Sequence, residues 1–151
     1  MKLIENVSIP DIFEKEILAN TVQLTEFLED KRSIFDPWLS KILGYSIVSY
    51  EAWVNYTSFN GDINGYEWHN EQGIGGAATA MTGEFAGIIW LSGDENAGGN
   101  LSVLENDEVA EIKFKPNTLI VIDSSTFHRV EHYYGISKRI SLNFTFNAKS
   151  C

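Results

Sequence analysis

The chain has 151 residues, enough for one domain with a hydrophobic core, and its 44% hydrophobic and 13% aromatic content argues against disorder. Acidic residues outnumber Lys and Arg by 21 to 11, and the resulting net charge of -10 argues against a nucleic acid or an anionic membrane as partner. The only cysteine, Cys151, excludes an intrachain disulfide, and we expect neither a signal peptide nor a membrane-spanning helix, and therefore a cytoplasmic protein.

The N-terminal part, residues 11 to about 43, has the pattern of helices. An apolar stripe at helical spacing predicts one buried face, formed by Phe13, Ile17, Leu24 and Leu28. Asp36-Pro37 resembles an N-cap followed by proline at the first helical position, which predicts that a separate short helix begins there. Gly44 is the predicted C-cap of that helix.

From residue 45 to about 147 the pattern changes to short strands separated by clusters of glycine and asparagine. The predicted strands are Ile47–Phe59, Ala77–Met81, Phe85–Leu91, Asn100–Glu105, Val109–Phe114, Thr118–Ile122, His128–Tyr133 and Arg139–Asn147. Many short strands without helices between them predict a sandwich or barrel. The simplest architecture is a single mainly β domain over residues 1–151, a jelly roll with the N-terminal helices packed on it.

Three separated positions predict a metal site. His69 and Glu71 lie two residues apart on an extended segment, so their side chains project to the same side. A second histidine from a distant strand, either His128 or His132, can complete a face of three ligands. Two histidines and one carboxylate, with the opposite face open, form the facial triad of non-haem Fe(II) oxygenases.

Four segments in order resemble the 2-oxoglutarate/Fe(II)-dependent dioxygenases, in particular the prolyl-4-hydroxylase-like branch. They are Tyr66-Glu67-Trp68-His69-Asn70-Glu71, then Ile88-Ile89-Trp90-Leu91 with Gly98-Gly99-Asn100-Leu101, then residues 116–130 around Phe127-His128, and finally Lys138-Arg139-Ile140-Ser141-Leu142. The resemblance covers roughly residues 45 to 147. It implies a double-stranded β-helix, which is a variant of the jelly roll.

The resemblance also implies the ligands. Fe(II) is expected on His69, Glu71 and His128. We prefer His128 to His132 because it follows the segment that matches the family's pre-histidine turn and lies eleven residues before Arg139. Glu71 departs from the aspartate that is commoner in the family, and its side chain is one methylene longer.

The co-substrate implied by the resemblance is 2-oxoglutarate. Arg139 is expected to pair with its C5 carboxylate through the planar guanidinium. Ser141, two residues on and on the same side of the strand, and Tyr56, from an earlier strand, are expected to donate further hydrogen bonds. The implied activity is hydroxylation of an unactivated C–H bond in a peptide, for example in a prolyl side chain, or in a small molecule, with release of succinate and CO2.

Two alternatives to this assignment remain. The oxygen spacing of Asn60, Asp62 and Asn64, with Gly65 and Glu71, nearly matches an EF-hand calcium loop, but its flanks have the patterns of a strand and a glycine-rich segment instead of two helices. The other alternative is a non-catalytic jelly-roll module that binds carbohydrate or peptide. Such a module requires neither Fe(II) nor an arginine at position 139.

Overall fold

A computed structural model describes residues 1–11, 15, 24–57, 67–71 and 83–149 of the chain. The elements within these ranges are one long helix and a series of strands. They are β1 (Lys2–Ile4), α1 (Leu24–Leu43), β2 (Ser46–Thr57), β3 (Phe85–Ser92), β4 (Leu101–Glu105), β5 (Glu108–Ile112), β6 (Thr118–Asp123), β7 (His128–Val130) and β8 (Arg139–Lys149). Within the described residues, no helix combines the length and the apolar character that a membrane crossing requires.

The strands form two antiparallel sheets that face each other. The larger sheet has the order β1-β6-β3-β8-β2 and the smaller one the order β5-β4-β7. Apolar side chains of both sheets meet in a buried core between them, which includes Ile88, Trp90, Leu101, Val103, Phe114 and Ile120. The prediction of a mainly β domain is therefore confirmed for the described part of the chain.

The other face of the larger sheet is covered by helix α1. Phe35 and Leu39 of the helix are buried against Phe144 and Phe146 of β8, and the rings of Phe35 and Phe144 meet edge to face at 5.1 Å. Alternation along β8 therefore directs these phenylalanines to the helix and Arg139 to the core between the sheets.

The prediction of a separate helix starting at Asp36-Pro37 is wrong, because α1 runs continuously from Leu24 to Leu43 with Pro37 inside it. The Asp36 carboxylate accepts hydrogen bonds from the backbone N–H and the hydroxyl of Ser49 on β2, so it ties the helix to the sheet. An interior proline costs a helix about 3 kcal/mol. Burial of the neighbouring apolar side chains on both sides of it offsets this cost.

Two other details differ from the expectation, and two predicted segments are not tested. The three-residue strand β1, which pairs with β6, was not predicted. Strand β7 ends at Val130, not at Tyr133. The segment opposite its end, which leads into β4, turns at Gly98 and Gly99, whose φ angles are +74° and +70°. The predicted strand Ala77–Met81 and most of the calcium-loop pattern lie outside the described residues. The predicted C-cap at Gly44 is confirmed, since its φ is +83° and its N–H donates to the Ser40 carbonyl.

Gly98→Ala is expected to destabilise the protein more than Gly44→Ala, although both glycines have left-handed φ angles. A Cβ on Gly98 would overlap the carbonyl oxygen of His132, whereas one on Gly44 would meet nothing within 4 Å. We expect backbone strain of about 1–2 kcal/mol for Gly44→Ala and at least twice that for Gly98→Ala, because a neighbouring backbone must move. Urea unfolding of both variants measures the difference. Equal losses would show that the chain around Gly98 relaxes at no cost.

Candidate metal centre

The backbone brings His69 and His128 directly opposite each other. The two residues form an isolated antiparallel pair in which each N–H donates to the other's carbonyl, at 3.1 and 2.9 Å. Residues opposite each other in such a pair project their side chains to the same side. The N–H of Glu71 donates to the carbonyl of Ser124, which holds the end of the same segment near the start of β7.

The side chains of this segment and of β7 converge on one point. Nε2 of His128 lies 3.1 Å from Oε1 of Glu71, and Nε2 of His69 lies 3.8 Å from the same oxygen. The ligand atoms of the three residues all lie within 4.8 Å of one another. Neighbouring ligands on a first-row divalent cation, with bonds of about 2.1 Å, are about 3 Å apart. The cluster therefore has the dimensions of a metal site.

The tautomers of both imidazoles also fit a metal site. Nδ1 of His69 lies 2.7 Å from the carbonyl oxygen of Glu67, and Nδ1 of His128 lies 3.0 Å from that of Thr126. Because a carbonyl oxygen can only accept, Nδ1 carries a proton in both rings, so Nε2, which faces Glu71, is the nitrogen of each ring that can bind a metal. A second hydrogen bond of this kind orients most histidine ligands of metals in proteins.

Burial and charge favour a cation at this place. Glu71 is 7% exposed and His128 is 4% exposed, so the carboxylate has lost most of its water. Desolvation by burial lowers the pKa of His69, and the nearby His128 lowers it further, against the opposing effects of the Glu67 carbonyl and Glu71. His69 is therefore neutral at neutral pH and offers a lone pair. Two imidazoles and one carboxylate form the donor set of a non-haem Fe(II) centre.

His132, the alternative third ligand, faces elsewhere. Its side chain is exposed and lines a surface groove of about 430 Å³ together with Lys113, Glu131 and Tyr134. Among the residues that the structure describes, His69, Glu71 and His128 are the one group of three with metal-ligating spacing. The structure thus brings together the three residues that the sequence resemblance implies as ligands.

Arg139 is held rigidly inside the protein. It is 1% exposed, and its Nε and Nη2 donate to the carbonyl of Gly99 at 3.2 and 2.9 Å. Its guanidinium carbon lies 4.9 Å from the ring centre of Phe114 and 5.8 Å from that of Trp90. A Cβ on Gly99 would lie 2.8 Å from Nε of Arg139, so the close approach requires glycine there. The sequence did not predict this support.

The metal cluster and Arg139 face the same interior. His128 is in register with Val103, whose side chain belongs to the core between the two sheets. The Arg139 guanidinium lies against Trp90 and Phe114 of that same core. The metal cluster and Arg139 therefore both border the core between the two sheets.

The other two predicted co-substrate residues are placed less completely. Ser141 is 2% exposed and lies two residues beyond Arg139 on β8. Its hydroxyl accepts a hydrogen bond from the side-chain amide of Asn143 at 3.1 Å and keeps its own hydrogen to donate. The backbone of Tyr56 pairs with Ile140 of β8, but its side chain lies outside the described part of the structure. Its role stays a prediction.

Comparison with solved structures finds proteins of similar fold. The crystal structure of an oxidoreductase of the 2OG-Fe(II) oxygenase family from Burkholderia pseudomallei aligns over 95% of this chain with a TM-score of 0.57 and 16% identity. This chain spans 62% of the length of that protein. A prolyl-4-hydroxylase from Pseudomonas putida aligns with a TM-score of 0.48 and 14% identity, over 95% of this chain and 70% of its own. No protein-family profile and no curated protein matches the sequence.

The alignment with the Burkholderia oxygenase shows a shared fold. The resemblance predicted from the four sequence segments is therefore confirmed at the level of the fold. The two antiparallel sheets with a core between them agree with the jelly roll of such oxygenases.

Proposed function

We propose that the protein is an Fe(II)- and 2-oxoglutarate-dependent dioxygenase, a hydroxylase built on a double-stranded β-helix. The observation that carries this proposal is the cluster of His69, Glu71 and His128, in which both Nε2 atoms face one carboxylate and both Nδ1 atoms lie within hydrogen-bond distance of backbone carbonyls. In the balanced reaction, 2-oxoglutarate, O2 and a substrate with a C–H bond are converted to succinate, CO2 and the alcohol. Fe(II), when bound with 2-oxoglutarate, supplies the oxidising chemistry.

The residues of the chain bind and orient the reactants. His69, Glu71 and His128 hold the metal, and the carbonyls of residues 67 and 126 keep the imidazoles in the required tautomer. Arg139 binds the C5 carboxylate of 2-oxoglutarate, and Ser141 donates a hydrogen bond to it, with Tyr56 as a further donor. The apolar core that surrounds the guanidinium excludes water and so strengthens this pairing.

The proposed substrate is a neutral or basic small molecule or a peptide, including one that presents a prolyl side chain. The net charge of -10 supports this choice and disfavours a nucleic acid or an anionic membrane as partner. We propose that the protein acts in the cytoplasm, since Cys151 is its single cysteine.

Anaerobic titration tests the proposal directly. Fe(II) followed by 2-oxoglutarate is expected to give the weak visible charge-transfer band of the chelate, saturating at one equivalent of each. Glutarate, which lacks the keto group, serves as the control and should give no band. Admission of O2 should then release succinate. A chain that gives no band, and that instead binds an oligosaccharide or peptide without metal, would be the binding module.

A further inference from the structure

Tyr133 lies at the junction between β7 and β8 and is completely buried. Its hydroxyl donates a hydrogen bond to the carbonyl of Ser137 and accepts one from the backbone N–H of Asp94 at 2.9 Å. The hydroxyl thus joins the segment after β3 to the segment that leads into β8. Ser137 is two residues before Arg139, so this contact fixes the approach of the chain to the buried arginine.

The backbone of Tyr133 supports the other side of Arg139. It forms an isolated antiparallel pair with Gly98, and the flanking hydrogen bonds run from Gly99 N–H to the His132 carbonyl and from Tyr134 N–H to the Ala97 carbonyl. Gly99 supplies the carbonyl to which Nε and Nη2 of Arg139 donate. The position of Tyr133 therefore sets the position of the acceptor that orients the guanidinium.

The carboxylate of Asp94 reinforces the same junction. Its Oδ2 accepts from the N–H groups of Ile136 and Ser137 at 2.8 and 3.0 Å. These hydrogen bonds, led by that from Ser137, lower the pKa of Asp94, so the carboxylate remains ionised and keeps both acceptor bonds at neutral pH.

The ring of Tyr133 completes the set of contacts. Its centre lies 6.3 Å from that of Phe114, whose face carries the Arg139 guanidinium at 4.9 Å. A Cβ on Gly99 would lie 3.1 Å from the Tyr133 ring, so the ring also packs against the glycine that holds Arg139. Tyr133 thus contacts Gly99, which accepts the hydrogen bonds of Arg139. It also lies beside Phe114, on which the guanidinium packs, and it bonds to the segment that leads into β8.

We propose that Tyr133 is a positioning residue that fixes the Arg139 guanidinium for the distal carboxylate of the co-substrate. The inference rests on the proposed function for the identity of that co-substrate. Tyr133 does not touch the co-substrate itself in this role. It acts through Arg139, and its loss is expected to change co-substrate selectivity while leaving the metal ligands in place.

The first measurement needs neither metal nor co-substrate. Hydrogen exchange of the Arg139 side-chain Nε–H, assigned by its absence in Arg139→Lys, reports how firmly the guanidinium is held. Tyr133→Phe removes only the hydroxyl and is expected to accelerate this exchange about tenfold. Tyr134→Phe, which removes the same atom from the exposed neighbouring tyrosine, is the matched control and should leave it unchanged.

The second measurement compares two keto acids on the Fe(II)-loaded chain. Pyruvate chelates a metal as 2-oxoglutarate does but has no distal carboxylate for Arg139. Tyr133→Phe is expected to weaken 2-oxoglutarate binding roughly 5- to 10-fold, because Arg139 is held less firmly, and to leave pyruvate and Fe(II) binding unchanged. A purely structural defect would weaken both keto acids equally.

Asp94→Ala provides a second test. Asp94 is half-buried, and its replacement removes two hydrogen bonds from the same junction. It should reproduce the change in selectivity, whereas Glu95→Ala on the exposed neighbour should not. Unchanged Nε–H exchange in Tyr133→Phe, or equal weakening of both keto acids, overturns the inference. Failure of the parent chain to bind any 2-oxoglutarate would overturn the proposed function instead, and the exchange measurement would still decide whether Tyr133 positions Arg139.

Discussion

His128→Ala and Glu71→Ala are each expected to abolish Fe(II) binding, with a loss of well over 100-fold in affinity. Replacing a residue that only supports a ligand already costs about 10- to 100-fold, and these variants remove a ligand itself. His69→Ala should have the same effect, because its Nε2 faces the same carboxylate oxygen. Anaerobic calorimetric titration with Fe(II), or with Co(II) as a surrogate, measures the loss.

His132→Ala is the matched control for this prediction. His132 lies four residues beyond His128 but is exposed and lines a groove away from the cluster. Its replacement should leave most of the metal affinity. If His132→Ala removes the metal and His128→Ala retains it, the assignment of the third ligand is wrong.

Arg139→Ala is expected to weaken 2-oxoglutarate binding by roughly 30-fold or more without a matching loss of Fe(II) affinity. Removing one member of a desolvated charge pair costs on the order of 2–5 kcal/mol. Arg139→Lys should recover only part of the affinity, since a point charge cannot reproduce the planar fork. Ser141→Ala should be milder, at about 1 kcal/mol. The charge-transfer titration at saturating Fe(II) gives each dissociation constant.

Lys138 is the exposed neighbour of Arg139. Lys138→Ala is therefore the control for a change of charge at this end of β8. Because Arg139 is buried and bonded to Gly99, thermal unfolding must accompany the titration to separate lost binding from lost stability. Unaltered binding of 2-oxoglutarate by a folded Arg139→Ala variant would place the carboxylate elsewhere and favour the binding module.

Much of the fold could be predicted because its signals are local. The alternation that sends Phe144 and Phe146 to the helix is a property of the strand itself, and so is the left-handed cap at Gly44. The error at Asp36-Pro37 arose because a local capping pattern carries no information about burial on either side of it. Strand β1 was missed because three residues are too few to show alternation.

The candidate site also has a part that the sequence predicts and a part that it does not. The order of His69, Glu71 and His128 along the chain carries information about ligands, since imidazole and carboxylate have distinctive chemistry. The groups that orient these ligands and Arg139 are mostly backbone carbonyls, among them that of Gly99. Every residue has such a carbonyl, so no residue type identifies them. Only the long-range pairing of the chain shows which carbonyls are used.

The hydrogen-bonded pair between His69 and His128 would link occupancy of the proposed metal site to the folding equilibrium. Backbone hydrogen bonds at His69 and at Glu71 attach residues 67–71 to β7 and to the end of β6, and the side chain of Asn70 adds a bond to the Ser125 carbonyl. A cation held by both imidazoles would bridge the same two stretches of chain. Its binding free energy would then add to their attachment, by about 2.7 kcal/mol when the free cation is at 100 times its dissociation constant. Chelation would then lower the melting temperature and expose this segment first to exchange with solvent.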